Sequence, residues 1–236
     1  MHGSILANLA VIRERIQAAT RRVNRDCAGI RLMAVSKTFP PEAIHEAYTA
    51  GQRLFGESKV QEFAEKVGRL SDLKDAEFHI IGHLQTNKAA KAVELFHAVD
   101  SLDSVKLAAR LNTAAEALGK TLPALIEINI GNEKAKSGVA PESPELSEIL
   151  NGASGWPNLR ICGLMTVPPF TDNPEGARPY FRKLRELRDK LAARHYPSVS
   201  MDELSMGMSH DFEVAIEEGS SCVRIGTAIF GERTKL

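Results

Sequence analysis

Leu32-Met33-Ala34-Val35-Ser36-Lys37-Thr38-Phe39-Pro40-Pro41 decides how the chain is read. A short apolar run stops at a lysine, two prolines break the backbone, and a helical pattern opens at Pro41-Glu42. Proline suits the first turn of a helix, where its missing N–H has no partner to lose, so the order is buried strand, loop, helix. Lys37 then stands at the carboxyl end of a strand, the edge on which α/β folds build their sites. An amine partly removed from water there loses its preference for the ammonium form, and its lone pair can attack a carbonyl carbon. The alternative is a lysine whose stem packs along the strand while its head reaches water.

The same unit recurs along the chain. A helical period over residues 4–26 puts Ile5, Leu9, Ile12, Ile16, Ala19 and Val23 on one face, with Ser4 as N-cap and Gly29 as stop. After the first strand, residues 32–36, apolar runs predict strands at 53–56, 78–82, 97–100, 124–130, 159–165, 201–206 and 222–229. Helical patterns separate them, the longest starting at Asp172-Asn173-Pro174. Strict alternation implies parallel strands with right-handed crossovers. The expected fold is therefore a closed (β/α)8 TIM barrel with an extra N-terminal helix, as one domain over residues 1–236. An open doubly wound sheet is the alternative, with no GxGxxG or P-loop to favour it.

Lys+Arg and Asp+Glu each count 30, so the formal net charge is zero. Bulk charge thus offers neither a nucleic-acid surface nor a membrane-seeking patch. Cys27, Cys162 and Cys222 are scattered, with no metal-ligand spacing, which fits reduced thiols and a cytoplasmic location. No signal peptide and no bilayer-spanning window are read. The basic side of the long helix, Arg178, Arg182, Lys183, Arg185, Arg188 and Arg194, is expected to be a solvated outer face.

In a barrel, the loops after the strands share one rim. They bring His83, Gln85, Asn87 and Lys88, then Asn129, Lys134 and Lys136, then Met165, to the mouth that Lys37 borders. The last two strands are followed by Met206-Gly207-Met208-Ser209 and by Gly226-Thr227. Glycine admits close approach, a hydroxyl donates, and a helix start offers free N–H groups, which together suit a phosphate. The competing reading is that Ser209 or Asp211 caps a helix and Gly226 relieves a bulge. Arg224, between Val223 and Ile225, needs a partner, either an ion pair or a ligand in the mouth. His79 and His83 straddle a strand end, and Cys162 has no evident histidine partner, so neither suggests a metal or a thiol nucleophile. A Schiff-base lysine, a phosphate cradle and an inward arginine together suggest pyridoxal phosphate: aldehyde on Lys37, phosphate on Ser209, Gly226 and Thr227, ring nitrogen near Arg224.

The chain resembles the pyridoxal phosphate homeostasis proteins essentially end to end. The matching motifs are Ala34-Val35-Ser36-Lys37-Thr38, Phe55-Gly56-Glu57, His79 to Lys88, Gly163-Leu164-Met165, Leu204 to Ser209 with Asp211, and Val223 to Thr227 with Ile229-Phe230-Gly231. That family is similar to the barrel domain of alanine racemase standing alone. The resemblance implies a cofactor held as an internal aldimine on Lys37, with Ser209, Arg224, Gly226, Thr227, Met165 and Asn87 around it. One departure is visible: Ser58 stands where the family usually has asparagine. The resemblance also implies a vitamin B6 carrier and buffer without an established reaction, whose partners are pyridoxal phosphate, other B6 vitamers and cofactor-dependent apoenzymes. Chemistry agrees. An arginine at the ring nitrogen weakens the electron sink, and the barrel is expected to use up the chain, leaving no second domain to supply an opposing acid. A racemase-like enzyme and a cofactor-free Schiff-base aldolase are the alternatives.

Overall fold

The computed structural model describes residues 4–133 and 136–232. Its strands are β1 Arg31–Val35, β2 Leu54–Glu57, β3 Glu77–Ile80, β4 Ala98–Leu102, β5 Leu122–Glu127, β6 Leu159–Met165, β7 Val199–Ser205 and β8 Cys222–Ile225. Each pairs in parallel with the next, and β8 returns to β1 through Met33 opposite Arg224, closing an eight-stranded barrel. The helix α1 Ile5–Arg22 comes first. Then α2 Pro41–Thr49, α3 Val60–Lys66, α4 Ala89–Leu95, α5 Val105–Ala117, α6 Pro144–Gly152, α7 Arg178–Ala192, α8 Phe212–Glu217 and α9 Thr227–Phe230 follow the strands in turn. The expected TIM-type architecture with its leading helix is present.

Local chemistry explains the starts. The hydroxyls of Ser4, Ser104 and Ser143 accept from the N–H groups of Ala7, Leu107 and Leu146 and so cap α1, α5 and α6. Some ends differ from the sequence reading. α1 stops at Arg22, and Gly29 instead closes a separate 3-10 turn, Cys27–Gly29, held by the Asp26 carboxylate on the Ala28 N–H. β5 ends at Glu127, because the Asn129 N–H turns to the Val139 carbonyl. β8 ends at Ile225, where Gly226 leaves the extended region at φ −111°, ψ −80°, and residues 227–230 coil into α9. A short apolar run such as Ile225 to Phe230 has no period that separates strand from helix.

The main core lies between barrel and helices. Phe55 of β2, Phe78 of β3, Phe63 of α3 and Phe96 after α4 form a chain of rings with centroids 5.3, 4.7 and 4.8 Å apart. Inside the barrel, strand alternation selects another set. Met33, Leu54 and Cys222 pack together across β1, β2 and β8, and Leu125, Cys162 and Met165 across β5 and β6. α1 ties the start of the chain to its end. Arg15 pairs with Glu213 at 2.8 Å, Arg22 with Glu217 at 2.6 Å, and the Asn8 amide donates to the Ile229 carbonyl at 2.9 Å.

The basic side of α7 is only in part the solvated face expected: Arg182, Lys183 and Arg194 are exposed, but three of its arginines are also tied to the neighbouring helix. Arg178, Arg182 and Arg185 converge on the Glu218 carboxylate at 3.1, 3.0 and 2.9 Å, and Arg178 also reaches Glu217 at 2.6 Å. Burial alone would raise the Glu218 carboxyl, but these guanidinium groups outweigh it and hold it below the usual range. The arginines neutralise the end of α8, where paired carboxylates sit near the helix's negative pole.

Candidate cofactor site

β1 sends Arg31, Met33 and Val35 to the interior, and Lys37 follows two residues later in the turn that opens the carboxyl-terminal mouth. Lys37 is half-buried. The turn is held from behind. Glu57, at the end of β2, faces outward and is fully buried, and its carboxylate accepts from the Ser36 hydroxyl at 2.7 Å. The Lys66 ammonium lies 2.8 Å from the same oxygen and donates to the Ser36 and Phe39 carbonyls at 3.3 and 3.4 Å. Glu62 accepts from the Thr38 N–H at 2.6 Å. A buried ion pair with its spare donors on backbone carbonyls thus clamps the residues on both sides of Lys37. Burial pushes the Glu57 carboxyl upward, partly opposed by Lys66 and Ser36.

Arg224 enters the barrel from β8 and is 3% exposed. Its guanidinium donates to the Ser205 hydroxyl and to the Thr166 carbonyl, both at 2.7 Å. Both acceptors are neutral, and among the described residues no carboxylate lies within ion-pair distance. Burial lowers its pKa, yet an arginine stays charged. Such a group calls for a further acceptor. Met165 is fully buried, immediately before Thr166.

The loops after β7 and β8 meet beside this arginine. Gly207 takes φ +94°, and a Cβ there would stand 2.5 Å from that of Ala215, so the turn requires glycine. The Asp211 carboxylate accepts from the Met208 N–H at 2.7 Å and braces the loop; it makes no side-chain cap on α8. The Ser209 hydroxyl faces the Ala228 N–H at 3.4 Å, which brings it to the first turn of α9. At Gly226 a Cβ would meet only Val35, at 3.5 Å, so packing does not demand glycine there, whereas close approach of an anion would.

The structure therefore brings Lys37, Met165, Ser209, Arg224, Gly226 and Thr227 to one mouth. It sets Asn87 apart. The turn Thr86–Lys88 closes through the Lys88 N–H on the Gln85 carbonyl, and Asn87 is exposed in an outer groove between α4 and α5 with Lys106 and Arg110. Lys134 lies outside the described residues. His79 is buried on Asp100 at 3.1 Å, and exposed His83 pairs with Asp103 at 3.0 Å. Ser58 is half-buried against Gly82, where a Cβ would fall 2.4 Å from the Ser58 carbonyl oxygen.

Three residues were not read from sequence as part of the site: Glu57, Lys66 and Glu127. Glu127 ends β5 at the mouth. Ser137 donates to its Oε1 at 3.2 Å, and its buried Oε2 has no hydrogen-bond partner among the described residues. Burial raises its pKa. The signal for Glu57 and Glu127 was present, since a charged residue inside an apolar strand needs a partner, as argued for Arg224.

A pyridoxal-type cofactor fits these residues. A pyridine nitrogen is the acceptor that the Arg224 guanidinium lacks, and the Ser209–Gly226 cradle suits its phosphate.

Comparison with known proteins agrees. Residues 7–234 match the alanine racemase N-terminal domain family. The pyridoxal phosphate homeostasis protein of Aquifex aeolicus is 49% identical over 225 residues, covering 95% of this chain and 96% of that one. Its Escherichia coli K12 counterpart is 42% identical, covering 98% and 97%. PipY of Synechococcus elongatus, solved with PLP bound, is 36% identical with a TM-score of 0.84, covering 97% of this chain and 100% of that chain. An alanine racemase of Clostridium difficile, 15% identical with a TM-score of 0.72, shares the fold over 98% of this chain and 57% of its own. On the match over residues 7–234 and on relatives 42–49% identical over nearly the whole chain, this chain belongs to the alanine racemase N-terminal domain family and, within it, to the pyridoxal phosphate homeostasis proteins.

Proposed function

We propose that this protein binds pyridoxal 5'-phosphate through its aldehyde on the Lys37 amine and serves vitamin B6 homeostasis by holding and releasing the cofactor. Ser209, Gly226 and Thr227 take the phosphate, and Arg224 takes the ring nitrogen. One observation carries this reading: a buried guanidinium that, among the described residues, is tied only to the Ser205 hydroxyl and the Thr166 carbonyl, facing the mouth that Lys37 borders. The homeostasis proteins of Aquifex aeolicus and Escherichia coli and the PLP-bound PipY support it.

The same arginine argues for a carrier. When bound, the cofactor supplies an electron sink through its ring nitrogen, and a permanent positive charge there keeps that nitrogen unprotonated and the sink weak. Free cofactor, related vitamers and the apoenzymes that need cofactor are the corresponding partners.

The test is a visible spectrum of the protein mixed with pyridoxal phosphate. An absorption band that borohydride removes, and that Lys37→Ala never shows, is expected. An unchanged band in Lys37→Ala would place the aldehyde on another lysine. Exchange of an amino acid's α-hydrogen in deuterated water at turnover rates would replace the carrier reading with a racemase-like one.

A further inference from the structure

The mouth occupies one end of the barrel, and the other end is polar as well. Barrels of this type fill their interior with layers of branched apolar side chains. Here a cavity of about 500 Å³ opens at the amino-terminal end, and Arg31, Glu77, His79, Asp100, Arg160 and Glu203 line it from five strands. The Met33–Leu54–Cys222 and Leu125–Cys162–Met165 groups stand between it and the cofactor mouth.

The charges in this cavity do not cancel among themselves. Arg31 is taken up by Glu77 at 2.6 Å, and its other nitrogen lies 3.7 Å from Glu203. His79 holds Asp100 at 3.1 Å. The Nδ1 of His97 accepts from the Phe78 N–H at 3.0 Å, so its proton sits on the other ring nitrogen. Burial keeps this imidazole neutral by lowering its pKa. Two features remain. Arg160 is exposed at the cavity and has no ion-pair or side-chain hydrogen-bond partner among the described residues. Glu203 has as its nearest cation an arginine 3.7 Å away that it shares with Glu77; His79 and Arg160 act on it from farther off, and burial still pushes its carboxyl upward.

A cation without a direct partner, Arg160, beside a carboxylate whose nearest cation is shared, Glu203, is the complement of a dipolar molecule. A simple anion would be repelled by Asp100 and Glu203, and a simple cation would leave Arg160 unanswered. No group of three or more metal-ligating side chains occurs among the described residues. We propose that this cavity binds a free α-amino acid as its zwitterion, with the carboxylate on Arg160 and the ammonium on Glu203. The volume lies within the range of small-molecule sites and leaves room for a side chain. The proposal is independent of the chemistry at the mouth.

The test is calorimetric titration of the cofactor-loaded protein with the standard L-amino acids, before and after borohydride reduction. Reduction removes the aldehyde, so only binding away from it survives. Saturable binding that persists after reduction is expected for at least one amino acid. Acetate and ethylamine, each carrying one end of the zwitterion, should bind at least roughly tenfold more weakly. Arg160→Ser and Glu203→Gln should each weaken binding by about tenfold or more. The proposal is overturned if no amino acid binds saturably at up to about 10 mM, a concentration that would reveal even millimolar affinity. It is equally overturned if binding disappears on reduction, or if both variants bind like the parent.

Discussion

Lys66→Met separates two roles for the ion pair behind the lysine turn. In the native protein the Lys66 ammonium lies 2.8 Å from Glu57, whose other oxygen is buried with no hydrogen-bond partner among the described residues. Methionine keeps much of the stem's packing and removes the charge. Glu57, with no side-chain exposure, is then left with the Ser36 hydroxyl alone. Breaking a buried pair from one side costs about 3 kcal/mol or more. For a chain of this length that lowers Tm by roughly 6–12 °C, at about 2–4 °C per kcal/mol. The loss depends on pH. Without Lys66 the folded pKa of Glu57 rises further above its unfolded value, so the folded state binds the extra proton. Stability is then greatest below the unfolded glutamate pKa of about 4.3 and falls as pH rises. Urea unfolding of the parent, Lys66→Met, Glu57→Gln and the double variant, at about pH 5.5 and about pH 8, resolves this. The penalty should be larger at the higher pH, and the double variant should recover to within about 1 kcal/mol of the parent. A pH-independent penalty, or a double variant that simply sums the singles, would refute the clamp.

Other consequences follow from the same geometry. Arg224→Gln keeps polarity but removes the charge, so cofactor affinity should fall at least about tenfold, and a pH titration of the visible band should show a changed ring protonation. Gly207→Ala must place a methyl 2.5 Å from the Ala215 Cβ at a left-handed backbone, costing about 1–3 kcal/mol in denaturation and displacing Ser209, with weaker binding of free phosphate. Glu127 holds a raised pKa, so its contribution to stability is full below about 4.3 and declines as pH rises. Glu127→Gln should therefore flatten the stability profile between about pH 5 and 8, by about 1.4 kcal/mol for each unit by which the pKa was raised. An unchanged profile would show that the carboxyl is compensated.

The sequence carried the alternation of strands and helices because each strand is a short apolar run bounded by polar loops, and β6 was read to its actual ends, Leu159–Met165. It carried Lys37 and Arg224 because each is a charge at the edge of, or inside, such a run. It did not carry the end of β8, since glycine at 226 turns an apolar stretch into a helix with no change of pattern. Asn87 shares the rim loop, but a 3-10 turn aims it outward, a matter of one dihedral step that spacing cannot express. The Lys66–Glu57 pair joins a helix to the back of a strand, and nothing local marks Lys66 as buried. The ion pairs of Arg178, Arg182 and Arg185 were not legible because their partners, Glu217 and Glu218, come more than thirty residues later. The polar floor of the barrel was equally hidden: Arg31, Asp100, Arg160 and Glu203 become neighbours only when the sheet closes.

The central claim is a covalent bond at one amine. Borohydride reduction of the protein with pyridoxal phosphate, followed by peptide mass analysis, reads it directly. The account predicts the phosphopyridoxyl mass on the peptide containing Lys37 and on no other. The label on a different lysine, or its absence from every peptide while the cofactor stays bound, would contradict it.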